Sequence, residues 1–218
     1  MPEAPDGSGP RRRTVLAAAL APLAAAGCAA EEAPRRPAPG PPGAVKDALV
    51  MVVRHAEKPY TGDIGEDEDG NEDPGFLAGR GWRRAEELHR LFAPSGGASL
   101  PRPERIFAAA PGGRTTAPAR CAQTVEALAT ALRVPVRTEF ATGAEPALAH
   151  AVLTAPTPVL VCWEPPGIPR LVRALGAHQL VGVPADWPDR YDLVWTFTRR
   201  EGAWSFHELP QRLLPGDA

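Results

Sequence analysis

Lysine is nearly absent from this chain. Of its 24 basic residues only Lys46 and Lys58 are lysines, so almost all positive charge is arginine. Opposite charges nearly balance, at a net −2, which gives no electrostatic reason for a nucleic-acid partner. Cysteine is limited to three residues, too few for a disulfide-stapled scaffold. No apolar run reaches the ~20 residues that a membrane-spanning helix requires. What remains is ordinary for one globular domain: 218 residues, 44% hydrophobic and 23% charged.

The first 45 residues stand apart in composition. Arg11, Arg12 and Arg13 precede a short apolar run from Thr14 to Gly27, which has the form of a signal peptide. Arg12-Arg13-Thr14-Val15-Leu16 resembles a twin-arginine export signal. Ala25-Ala26-Gly27-Cys28 resembles a lipobox, with Ala25 where leucine is usual. This reading makes residues 1–28 a signal and Cys28 the acylated N-terminus. The protein is then expected on the outer face of the cytoplasmic membrane, held by lipid with no spanning helix. Residues 29–45 are rich in proline and alanine and read as a semi-rigid spacer. Removing residues 1–28 takes away three arginines and two acids, leaving a net charge of −3 (21 − 24).

From residue 46 onward, strand and helix patterns alternate. Strand-like runs are Ala48–Val53, Arg105–Ala109, Val134–Phe140, Pro158–Trp163, Tyr191–Thr198 and Ala203–Leu209. Helical stripes appear at Ala85, Leu88 and Phe92, and at Val125, Leu128, Ala129 and Leu132. Ile168, Leu171, Val172 and Leu175 form a third, with Gly176 placed to cap it. The alternation predicts one α/β domain over residues 46–218, a three-layer sandwich around a mostly parallel sheet. "RREG", residues 199–202, joins the last two strands as a hairpin and predicts an antiparallel edge.

Ligands of open α/β sheets sit outside the carboxyl ends of the strands. "ALVMVVRHAEKP", residues 48–59, puts Arg54 and His55 at such an end. "VVRHAEKP" resembles the first signature of the histidine phosphatase superfamily, the phosphoglycerate-mutase-like fold. "LAGRGWRRAEELHRLF" is similar to the helix that follows in that family. "RIFAAAPGGRTTAPARCAQTVEALATAL" resembles its second signature and "PVLVCWEPPGIPRLVRALG" its third. "YDLVWTFTRREGAWSFHELPQRLLPGD" resembles its closing strands, so the likeness runs in order over about residues 46–217.

The resemblance implies roles that chemistry makes intelligible. The family's nucleophile, here His55, attacks phosphorus and carries the phosphoryl group, since a neutral imidazole keeps a lone pair. Arg54 and Arg120 match the clamp arginines, whose planar forks suit phosphoryl oxygens better than an ammonium group does. Arg120 also opens a helix in this reading, where free N–H groups favour anions. The expected ligand is a small phosphorylated substrate or phosphate, with no metal or other cofactor. The family's leaving-group acid is not evident: Glu145 and Glu57 are the candidates.

The third signature departs from the pattern. The subgroup carries a second histidine at the strand tip, and here the aligned position is Pro165, which has no donor to offer. Glu164, beside it, is a candidate for the substrate pocket, although a carboxylate repels phosphate. Losing one charge-assisted donor costs about 3 kcal/mol of transition-state stabilisation, roughly a hundredfold in rate. Two function classes therefore stand: a slow exported phosphomonoesterase working through His55, or a pseudophosphatase that binds phosphate or serves as a scaffold.

Other residues have plainer readings. Seven acids lie between Thr61 and Gly75, but the spacing fails the calcium-loop pattern at Glu72 and Ala78, so a solvated loop is expected. His89, His150, His178 and His207 lack ligand spacing. Cys121 and Cys162 read as a free buried pair, with a disulfide open after export.

Overall fold

The computed structural model describes residues 46–65, 71–92, 100–110 and 118–218. The signal, Cys28 and the spacer all fall outside the described residues, as does the centre of the acidic loop.

The strands are β1 (Ala48–Arg54), β2 (Arg105–Ala108), β3 (Val136–Arg137), β4 (Val159–Trp163), β5 (Leu193–Arg200) and β6 (Ala203–Pro210). They form a six-stranded sheet in the order β3-β2-β4-β1-β5-β6. β1 and β4 pair in parallel from Val50↔Val159 to Arg54↔Trp163, and β2 pairs in parallel with both β4 and β3. β5 runs antiparallel to β1 and to β6, through a two-residue turn at Glu201 and Gly202. The antiparallel edge expected from "RREG" is thus present.

Four α-helices connect the strands: α1 (Gly79–Glu87), α2 (Pro118–Leu132), α3 (Glu145–Thr154) and α4 (Ile168–Leu175). α1 packs on α2, and α3 packs on α4. Right-handed crossovers put the first pair on one face of the sheet and the second on the other, because β3 marks the point where the strand order turns back. The result is the α/β/α sandwich that the alternation predicts.

The middle strands carry the core. Val50, Met51, Val52, Leu160, Val161, Trp195 and Phe197 are wholly buried, as expected of strands covered on both faces. The predicted third strand shrinks to two residues at an exposed edge, where little apolar surface is available to hold a longer one. α3 went unmarked by any stripe because its buried line, Glu145, Leu148, Ala149 and Val152, begins with a carboxylate. Ala147, Ala151 and Leu153 on its other faces further blur the stripe.

Candidate functional site

β1 lies between β4 and β5, so its carboxyl end opens at the centre of the sheet rather than at a margin. Arg54 is its last residue and His55 the first beyond it; both are buried. The His55 ring nitrogen Nδ1 lies 2.7 Å from the carbonyl of Ala56. A carbonyl only accepts, so Nδ1 carries the proton and Nε2 is left with its lone pair. Burial lowers the His55 pKa from 6.5 to about 4; the Ala56 carbonyl opposes this, and the charges of Arg120, Arg54 and Lys58 reinforce it. The imidazole is therefore neutral near neutral pH, as a nucleophile must be.

α2 holds this turn in place. The Thr124 hydroxyl accepts the N–H of Ala56 at 2.8 Å and donates to the carbonyl of Arg120 at 2.7 Å. Gln123 accepts the N–H of Leu77 at 3.2 Å, just before α1. The "QT" pair thus fastens the loop after the nucleophile to the helix that bears Arg120. Arg120 stands in the first turn of α2 and donates from Nη1 to the carbonyl of Pro74 at 2.9 Å.

Arg54 is held from the other side. Its Nη1 donates to Asp189 at 3.3 Å and to the carbonyl of Arg190 at 3.2 Å, and its guanidinium carbon lies 4.0 Å from the ring centroid of Tyr191. Among the described residues four buried side-chain polar atoms lack any hydrogen-bond partner; two of them are the Nε atoms of Arg54 and Arg120. A buried charged donor left without an acceptor is costly, so two beside one neutral histidine mark a place built for an anion.

Glu57 is drawn into a different structure. Its carboxylate accepts Arg84 Nη2 at 2.8 Å and Arg84 Nε at 3.0 and 3.1 Å, and Arg80 Nε at 3.1 Å. Arg84, itself buried, also donates to Asp217 at 2.8 and 2.9 Å. Burial raises the Asp217 carboxyl, but the Arg84 hydrogen bonds outweigh it and hold it at about 2. Both oxygens of the Glu57 carboxylate are thus taken up by guanidinium donors. The expectation that Glu57 serves as leaving-group acid is corrected on that ground: it anchors the nucleophile loop to α1 and the C-terminal segment. The glycine at Gly81 permits this, since a Cβ there would lie 2.5 Å from the carbonyl oxygen of Glu57.

Glu145 is likewise engaged. It accepts Arg170 at 3.0 Å, and Trp163 Nε1 and the N–H of Gly143 at 3.2 Å each. Burial pushes its carboxyl up, yet Arg170 and the other donors prevail and hold it below its usual range. Its contacts tie α3 to β4 and α4 rather than to His55. Gly167 makes room for the arrangement, for a Cβ there would meet Trp163 Nε1 at 2.4 Å.

The register also revises the strand tip. β4 ends at Trp163, level with Arg54, and Glu164 leaves the sheet at the level of His55. Pro165, half-buried, already begins a short 3-10 turn over Pro165–Gly167. Trp163 and Glu164 thus form the tip of β4, with Pro165 one residue beyond. Trp163 is fully buried and its one N–H is committed to Glu145.

Two features escaped the sequence reading. Lys58, exposed, adds a third positive charge around His55, and the segment Trp187–Asp192 supplies the Arg54 contacts. Lys58 lies within "VVRHAEKP" but has no assigned role there, and the Trp187–Asp192 contacts arise only on folding. Cys121 and Cys162 are free and buried; burial, then the Cys121 thiol alongside, pushes the Cys162 thiol up.

No protein-family model matches this chain, and no curated protein matches it. Similar solved structures exist. A protein provisionally described as the phosphohistidine phosphatase SixA of Agrobacterium tumefaciens is 19% identical, with 74% of this chain and 97% of that one covered and a TM-score of 0.46. Mycobacterial hydrolase 1 is 12% identical, covering 75% and 97%, with a TM-score of 0.45. A protein provisionally described as an α-ribazole-5′-phosphate phosphatase of Escherichia coli is 14% identical, covering 75% and 96%, with a TM-score of 0.43. At such distances the geometry at His55 carries the functional reading alone.

Proposed function

We propose that this chain is a phosphomonoester hydrolase of the histidine phosphatase type, acting through a phosphohistidine at Nε2 of His55. One observation carries the reading: a buried neutral histidine, its Nδ1 proton fixed on Ala56, stands with two arginines whose buried Nε donors have no partner. Nε2 attacks phosphorus as the bond to the leaving oxygen breaks, and water then hydrolyses the phosphohistidine. Arg54 and Arg120 spread positive charge over the equatorial oxygens at the moment negative charge redistributes there.

The same surroundings make the enzyme slow. Glu57 and Glu145 are both occupied as acceptors, and Trp163 has spent its donor. With Glu57 and Glu145 both taken up as acceptors, the rate depends on how well the leaving group bears charge, so aryl phosphates should turn over and alkyl phosphates should lag by about a hundredfold or more. The test is incubation of the domain from residue 46 with an aryl phosphate, quenching in alkali, and mass spectrometry of the His55 peptide. A phosphorylated peptide that vanishes in His55→Ala supports the reading. No phosphopeptide and no turnover leaves the second reading, a pseudophosphatase that binds phosphate, which the spent donors at Trp163 favour.

Export and anchoring through Cys28 belong to the same proposal and rest on the N-terminal sequence. In cells given a fatty-acid analogue, the full chain should be labelled and Cys28→Ala should not; equal labelling of both rejects the anchor.

A further inference from the structure

The segment from Trp187 to Asp192 is tied down by an unusual number of its own contacts for a loop. Trp187 lies against Trp195 with ring centroids 4.6 Å apart, and its Nε1 donates to the carbonyl of Arg190 at 3.0 Å. The N–H of Arg190 donates to the carbonyl of Pro188 at 2.7 Å. Arg190 grips Asp192 through two bonds of 2.9 and 2.7 Å. The loop so fixed offers three groups to Arg54: the carbonyl of Arg190, the carboxylate of Asp189 and the face of Tyr191.

These three contacts use up one end and one face of the guanidinium. Nη1 points at Asp189 and Arg190, and the ring of Tyr191 covers one side of the plane. The orphaned Nε is left buried. Asp189 is fully exposed, so its pull is screened and its share is small. The Tyr191 ring is different. It is half-buried, sits 4.0 Å from the guanidinium carbon and, at 6.1 Å and 53°, tilts against the imidazole of His55. Among the described residues it is thus the one aromatic group in contact with both members of the Arg54–His55 pair.

We propose that Tyr191 is a positioning residue of the phosphate site: its ring fixes the plane of Arg54 so that Nε faces the phosphoryl oxygens. The inference rests on the phosphate-site reading above. It assigns to the Trp187–Asp192 loop part of the pre-organisation lacking at the β4 tip, where Trp163 is spent on Glu145. A guanidinium stacked on an aromatic face keeps its charge and loses freedom, so the anion need not order it on binding. The ring does this work, and the hydroxyl has no part in it.

The experiment uses vanadate as the probe and the vanadate-induced rise in melting temperature as the readout, since the difference between bound and free cancels any general loss of stability. Tyr191→Leu should weaken vanadate binding by about ten- to thirtyfold, the scale of a desolvated cation–π contact. Tyr191→Phe should recover most of that loss. An exposed control, Asp186→Asn, should behave as wild type. Two results overturn the proposal while leaving the phosphate site standing: binding unchanged in Tyr191→Leu but lost in Arg120→Ala, or a loss in Tyr191→Leu that Tyr191→Phe fails to recover. If wild type itself binds no vanadate, the phosphate-site reading falls and this inference falls with it.

Discussion

Keeping His55 neutral inside the protein has a measurable consequence for stability. Its pKa is about 4 when folded, against 6.5 for an ordinary histidine. The unfolded chain therefore binds a proton at pH 5 that the folded chain refuses, and stability rises with pH wherever the unfolded state holds more protons. The sign is thus fixed: the native state is unpenalised above pH 6.5 and loses stability as pH falls from 6.5 toward 4. At 1.36 kcal/mol per pKa unit, the full interval of about 2.5 units amounts to about 3 kcal/mol, of which about 2 kcal/mol is already lost at pH 5. Replacing the imidazole by an uncharged group removes this term. Urea unfolding of wild type and His55→Gln at pH 7.5 and pH 5 isolates it, because every other titrating group is common to both proteins. Wild type should lose about 2 kcal/mol more than His55→Gln over that interval. Equal losses would mean that His55 takes up a proton in the folded state, and with it the lone pair that phosphoryl transfer needs would be gone. Below pH 4 both proteins should lose further stability alike, since Asp217, held at about 2, then begins to lose its bonds to Arg84 in each.

Thr124→Val removes the acceptor of the Ala56 N–H while keeping shape, so it should cost about 1–3 kcal/mol in urea unfolding and loosen His55, whereas Thr124→Ser should cost little. Gly81→Ala reverses a general rule. Alanine usually stabilises a helix by about 1 kcal/mol over glycine, but here its Cβ would press on the backbone of Glu57, so the melting temperature should fall; a rise would show that the nucleophile loop yields freely.

How much of this was legible beforehand depends on the range over which each residue acts. β1 could be read directly, since six apolar residues ending in Arg54 and His55 are a local pattern, and the structure puts both residues at the carboxyl end of a central strand. The antiparallel edge was legible for the same reason, for a hairpin is set by the few residues that make it. Misreadings arose where a residue's partner lies far along the chain. Glu57 and Glu145 look alike in sequence, as acids beside an expected active site. Nothing local reveals that Arg80 and Arg84 will engage the one, and Trp163 and Arg170 the other. Pro165 shows a subtler limit. A signature compared along one strand carries no register, and only pairing with β1 shows that Trp163 stands level with Arg54.

Tyr191 lies at the far limit of this scale. It is 137 residues from Arg54 along the chain (191 − 54), at the start of a strand-like run whose observed strand begins only at Leu193. It acts through the flat face of a side chain rather than through a titrating or nucleophilic group, so chemistry alone does not single it out. A local pattern can announce the atom that attacks, because few side chains are able to attack. The groups that aim it can be of almost any type and come from any distance, so folding alone reveals them. That asymmetry explains why His55 was singled out by a short signature taken with the matching segments downstream, while its supports on α1, α2 and the Trp187–Asp192 loop required the assembled sheet.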